Sequence, residues 1–130
     1  MKILSLSVLF LILFNCSFAQ NNSVELERNP EPEMGMQAWE LFVKESINYP
    51  ESAKLNNIEG TVLVKFFVEK DGSLTDIIVT KGLGHGLDEE AKLVVEKSEK
   101  WNPGVYRMSN DKLIKVKSEV VMPIKFLLPQ

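Results

Sequence analysis

The sequence holds one cysteine and one histidine in 130 residues. A lone Cys16 cannot close an internal disulfide, so a cross-linked framework is excluded. His85 has only the acids Asp88, Glu89 and Glu90 close behind it, which leaves a metal centre without a ligand set. No serine sits in a nucleophile elbow, so a Ser-His-Asp arrangement has no support. No cofactor and no small-molecule substrate are implied, and the chain reads as a binding protein, not an enzyme. Basic charge is scarce as well: 15 Lys and Arg against 18 Asp and Glu give a net charge of −3. Nucleic acid would require a basic stripe, and an anionic membrane a polybasic cluster; neither is there. Internal repeats and low-complexity tracts are missing too.

The one long apolar run stands at the start. Lys2 precedes an apolar stretch over 3–14, and Ser17-Phe18-Ala19 then gives a small-x-small pattern. The run is shorter than the roughly 20 residues of a bilayer span. Residues 1–19 therefore read as a signal peptide cut after Ala19, exporting the chain to the periplasm. Two alternatives keep a membrane tether: an uncleaved signal, or a lipid on Cys16, although Asn15 stands where such signals normally carry a small residue. Residues 20–35 are polar, with Asn29, Pro30 and Pro32 among glutamates, and read as a disordered lead-in. One domain is expected over 36–128.

Within it, Met36, Trp39, Val43 and Ile47 recur at helical spacing and predict a helix over 36–47. Asn48-Tyr49-Pro50 ends it, since the residue before proline leaves the helical region. Pro50 then opens a short helix over 51–55. Residues 61–69 alternate as a strand, with Val62, Val64, Phe66 and Val68 on one face. Asp71-Gly72 is a hairpin turn leading to a return strand over 74–81, with Ile78 on the side of Leu74, Asp76 and Thr80.

Leu87, Ala91, Val94, Val95, Ser98 and Trp101 form the stripe of a longer helix, stopped by Asn102-Pro103-Gly104. Residues 105–112 read as a loop, and a last strand spans about 113–127. Pro123 puts that strand at a sheet edge or a bulge. The expected fold is α+β: a three-stranded antiparallel sheet in the order 2-1-3 with helices packed on one face. Gly82-Leu83-Gly84-His85-Gly86 is a connector; the acids after it would repel a phosphate.

Five segments in this order carry a resemblance: Tyr49-Pro50 with Ala53, Glu59-Gly60-Thr61-Val62 leading to Phe66 and Val68, Asp71-Gly72, Trp101-x-Pro103-Gly104, and Met122-Pro123-Ile124-x-Phe126. Together they resemble the TonB C-terminal domain, in its short standalone form. The resemblance implies a periplasmic domain that grips the extended TonB box of an outer-membrane transporter by strand addition to its last strand. It also implies a neighbouring contact around the Tyr-Pro pair. The expected partner-binding residues are Lys115, Lys117, Glu119 and Val121 along the edge, with Asn48, Tyr49 and Pro50 beside it. The partner is a TonB-dependent transporter or another envelope protein; a homodimer formed through the same edge is the alternative. Unlike the full transducer, the chain has a lead-in of about 16 residues, at most about 55 Å extended, too short to cross the periplasm.

Overall fold

The computed structural model describes residues 25–98 and 100–129. Its elements run β1 (Glu31–Pro32), α1 (Met36–Ser46), α2 (Glu51–Leu55), β2 (Gly60–Val68), β3 (Leu74–Lys81), α3 (Leu87–Lys97), β4 (Trp101–Asn102), β5 (Gly104–Arg107), β6 (Leu113–Val116) and β7 (Ser118–Phe126). The main sheet is antiparallel in the order β3-β2-β7, which is the expected 2-1-3 arrangement of the three long strands.

Alternation on β2 decides where the core lies. Val62, Val64, Phe66 and Val68 are fully buried, and their partners on β7 are Ile124, Met122, Val120 and Ser118. Each fully buried aliphatic or aromatic side chain of this kind contributes about 1.5–3 kcal/mol. Over this face pack Leu87, Ala91, Val94 and Val95 of α3, Trp39 and Val43 of α1, and Ala53 of α2. Trp101 stacks edge-on against both Phe66 and Trp39, at centroid distances of 5.0 and 6.1 Å. The opposite face of the sheet carries no helix among the described residues.

Five expectations are corrected. The long helix ends at Lys97 rather than reaching Trp101: Ser98 is extended, and Trp101 lies on β4 paired with Pro32. Trp101 still belongs to the core stripe, but reaches it from a strand. Residues 105–112 are not a simple loop, because β5 pairs with β6 as a second hairpin. The last strand is consequently two strands that break at Lys117, β6 belonging to this small sheet and β7 to the main one. On β3, Leu74 shares the core side with Ile77 and Val79, not the side of Ile78. The cause is a bulge at Asp76, whose φ of +51° lets two residues of β3, Asp76 and Ile77, face the single Phe66 of β2 and switches the parity.

The fifth correction concerns the lead-in. Residues 25–35 are held, not disordered. The amides of Glu27 and Arg28 donate to the carbonyl of Val105, and the Val105 amide donates to the carbonyl of Arg28. Arg107 forks onto Glu27, Nη2 to Oε1 at 2.7 Å and Nε to Oε2 at 3.1 Å. Pro32 is fully buried, and β1 pairs with β4. Main-chain pairing with residues far along the chain supplies the order that a composition of polar residues could not. The expected signal peptide over 1–19, with Cys16, lies outside the described residues.

Candidate functional site

The main sheet has two edges, and they differ. β3 is broken by two register shifts, one opposite Lys65–Phe67 and one opposite Leu63–Val64. Bulges of this kind blunt an edge against further pairing. β7 pairs residue by residue with β2 over nine positions, from Ser118 to Phe126, without a shift.

The outward groups of β7 follow from one hydrogen bond. Antiparallel residues alternate between pairs that exchange main-chain bonds and pairs that turn theirs away. Thr80 Oγ1 donates to the Leu63 carbonyl at 3.3 Å, so Leu63 turns its main chain toward β3. Its partner across β7, Pro123, is therefore in a pair that exchanges no bonds, and its nitrogen faces outward. The missing N–H costs the β2–β7 ladder nothing. The same parity turns the N–H and C=O groups of Glu119, Val121 and Lys125 outward, with the Pro123 carbonyl between them. No strand pairs with that side among the described residues.

Beside this edge runs a groove of about 450 Å³ between α1 and the C-terminal half of β7. Trp39, Val43 and Ile47 form one wall, Met122 and Phe126 the other, and Tyr49 closes one end. Tyr49 packs edge-on against Phe126 at 6.0 Å, and its hydroxyl donates to the Ile58 carbonyl. Partial burial, with Glu59 nearby, raises the phenol above its ordinary value. Trp39 is 3% exposed, yet its indole Nε1 has no hydrogen-bond partner. Unpaired buried donors are uncommon and cost about 1–3 kcal/mol.

Of the residues singled out from the sequence, Glu119 and Val121 lie on the β7 edge, and Tyr49 lines the groove at the far, C-terminal end of that strand. Lys115 is elsewhere, on β6 opposite Val105. Lys117 is anchored at the strand break, its Nζ 3.1 Å from Glu69 Oε1 and 4.7 Å from the Phe67 ring centroid. The Glu69 carboxyl also accepts from Thr75 Oγ1, and these two bonds hold it below the ordinary carboxylate range. Asn48 turns its amide to Glu90 of α3 at 2.7 Å, and Pro50 lies against Gly86. Missed at the sequence level were Lys125 on the edge and the groove walls, since the stripe Trp39, Val43, Ile47 was explained by core packing alone.

The glycine-rich connector is closed on itself: Asp88 Oδ1 accepts from the amides of Leu83 and Gly84 at 2.8 and 3.2 Å. An acid already occupies the amides that a phosphate would need. His85 Nδ1 lies 3.0 Å from Ser52 Oγ on an exposed surface. Among the described residues no group of three or more His, Cys, Asp or Glu side chains could hold a metal ion, and no helix is long and apolar enough to cross a membrane.

The sequence profile described as Gram-negative bacterial TonB protein C-terminal matches residues 45–128. The chain belongs to the TonB C-terminal family. This is a transport-associated family of the bacterial envelope, whose members in general interact with outer-membrane transporters. Two NMR solution structures of the Helicobacter pylori TonB C-terminal domain share the fold. One has a TM-score of 0.53 at 24% identity over 72% of this chain and 94% of that one. The other, a longer form, has a TM-score of 0.54 at 24% identity over 72% of this chain and 80% of that one. No curated protein is similar enough to match. The TonB C-terminal match begins at residue 45, so the α1 residues Met36 to Lys44 lie outside it.

Proposed function

We propose that this TonB C-terminal domain works in the periplasm as a receptor for an extended segment of an outer-membrane transporter, taken up as a further strand on β7. A TonB box is the segment implied, and support for energy-dependent transport across the outer membrane the role. The observation that carries the reading is the unbulged outer edge of β7, with main-chain groups of Glu119, Val121, Pro123 and Lys125 turned away from β2. Such a row gives a guest its affinity through main-chain bonds, while alternate side chains give choice. The residues in the proposed contact are Glu119, Val121 and Lys125 on the strand, with Tyr49 at the groove end. Asn48 and Pro50 position Tyr49; Lys117 fixes the start of the strand; Lys115 stands aside on β6.

Export by residues 1–19 belongs to this reading, and N-terminal sequencing of the protein recovered from the periplasm tests it: Met1 found intact means a tethered domain. For the edge, the test is a titration of the isotope-labelled protein with a transporter-derived peptide, followed by amide exchange. Protection of Glu119, Val121 and Lys125 is expected. Unchanged exchange at all three, with sedimentation showing a monomer at every concentration, would falsify strand addition. A dimer that already protects them means that a second copy occupies the edge.

A further inference from the structure

The face of the main sheet turned away from the helices has one cation at its centre. Lys65 stands between the fully buried Val64 and Phe66, so its side chain belongs to this bare face. Its neighbours there follow from the register. Leu63 and Phe67 flank it along β2, Ile78 lies opposite on β3, and Val121 lies opposite on β7. All four are apolar. Among the described residues Lys65 makes no ion pair. We infer that this face is a docking surface for a partner protein that presents an aspartate or glutamate amid apolar side chains, the carboxylate meeting Lys65.

The ring around the cation depends on a distortion of the chain. Ile78 reaches this face only because the bulge at Asp76 switches the parity of β3, and bulges serve to re-aim side chains in this way. Ile78 and Val121 are 48% and 47% exposed, whereas Leu63, Lys65 and Phe67 are half-buried. Cross-strand neighbours on one face stand about 5 Å apart, and neighbours along a strand about 6.5 Å. A carboxylate brought to Lys65 is therefore enclosed by four apolar side chains, which keep water from the pair. Binding hot spots share this plan, a central contact within a surround that mainly excludes water. The remaining charges stand outside the ring. Lys117 is held by Glu69 and covers the Phe67 ring, Lys81 lies opposite Leu63, and Glu119 lies opposite Phe67.

Two other occupants are disfavoured by the place of the charge. A second copy laid face to face would bury two ammonium groups in one interface, and like charges so placed repel. A lipid surface takes up an apolar face with its cations at the margin; here the cation would enter the apolar layer first. An acid set in an apolar protein surface matches both the centre and the ring. Val121 belongs to this face by its side chain and to the receiving edge by its main chain. The inference therefore stands without the edge-addition reading.

A photo-crosslinking residue in place of Ile78, in the full chain and in the cells that make it, tests the inference. Ile78 is on β3, with β2 between it and the β7 edge. The same residue in place of Leu93, exposed on α3, is the control. An adduct to one envelope protein is expected from position 78 and not from position 93. Mass spectrometry should place it beside an Asp or Glu flanked by apolar residues. Lys65→Met should lower the adduct about thirtyfold or more, the loss expected when one member of a buried ion pair is removed, without lowering the urea midpoint. Lys65→Glu should abolish it, and changing the partner's acid to Lys should then restore it. The purified protein should not sediment with phosphatidylglycerol vesicles. Adducts that persist in Lys65→Met, that join two copies, or that form equally from both positions overturn the inference. So do sedimentation with the vesicles and the lack of any adduct from position 78. None of these outcomes bears on amide protection along β7, which tests the edge separately.

Discussion

Leu63 and Pro123 face each other across β2 and β7 without sharing a hydrogen bond, because the Leu63 carbonyl is turned to Thr80 on the far side. A proline in a sheet is usually read as a device against pairing. Here it interrupts only the outward row, and the ladder behind it stays whole.

Val121→Pro and Val120→Pro should therefore separate. The first removes an outward amide, so unfolding free energy should change by less than about 1 kcal/mol while guest affinity falls about three- to tenfold. The second removes a donor from the β2 ladder and should cost about 3 kcal/mol in urea denaturation. Equal losses of stability would mean that the parity assigned to β7 is wrong.

The unpaired indole gives a stability prediction. Trp39→Phe removes a buried donor as well as part of a ring, so its cost should be about 1 kcal/mol or less. Trp39→Ala should cost about 3–5 kcal/mol through the cavity it leaves. Denaturant midpoints of the two variants check this.

Gly72 has two reasons to be glycine. Its φ is +87°, and an added Cβ would stand 2.2 Å from the Trp101 carbonyl oxygen. That oxygen cannot retreat cheaply, because the Trp101 amide donates to the Gly72 carbonyl at 3.2 Å. Gly72→Ala should cost about 2–4 kcal/mol, more than the roughly 1 kcal/mol expected of a positive φ alone. Thermal unfolding measures it.

Acid should loosen the lead-in. Hydrogen bonding to Arg107 and its charge hold the Glu27 carboxyl below its ordinary value of 4.5. A depressed folded value means that the stabilisation is present above the ordinary value and is lost as pH falls through the depressed one. Exchange of the amides of Glu27, Arg28 and Val105 should therefore rise, relative to the main sheet, as pH drops below about 4.5. Glu27→Gln should show the faster exchange already at neutral pH and flatten the profile.

Periodicity made the three main strands and the first helix legible. Val62 to Val68 and Met36 to Ile47 each repeat one period long enough to exclude another. The long helix was overextended because Ser98 and Trp101 continue its stripe by spacing while reaching the core from an extended chain. The bulge at Asp76 left no mark in a pattern where Leu74, Ile77 and Ile78 suit either face. Residues 27–32 looked featureless because their partners, Val105, Arg107 and Trp101, lie 69 to 80 positions away. For the site, Pro123 announced an edge, but which groups face outward required the Thr80–Leu63 bond. The groove required knowing that α1 lies beside β7.

The pairing of Glu27 and Arg28 with Val105 also decides how the domain meets tension. A pull on the chain ahead of Glu25 reaches the small sheet and the Arg107 fork before the nine-residue ladder of β2 and β7. The two sheets bear load in series, and the smaller should yield first, lengthening the molecule by about 30 Å. A force-extension trace should show that early step ahead of the main rupture. Opening this clasp would lengthen the chain ahead of the domain while the β2–β7 ladder stays paired.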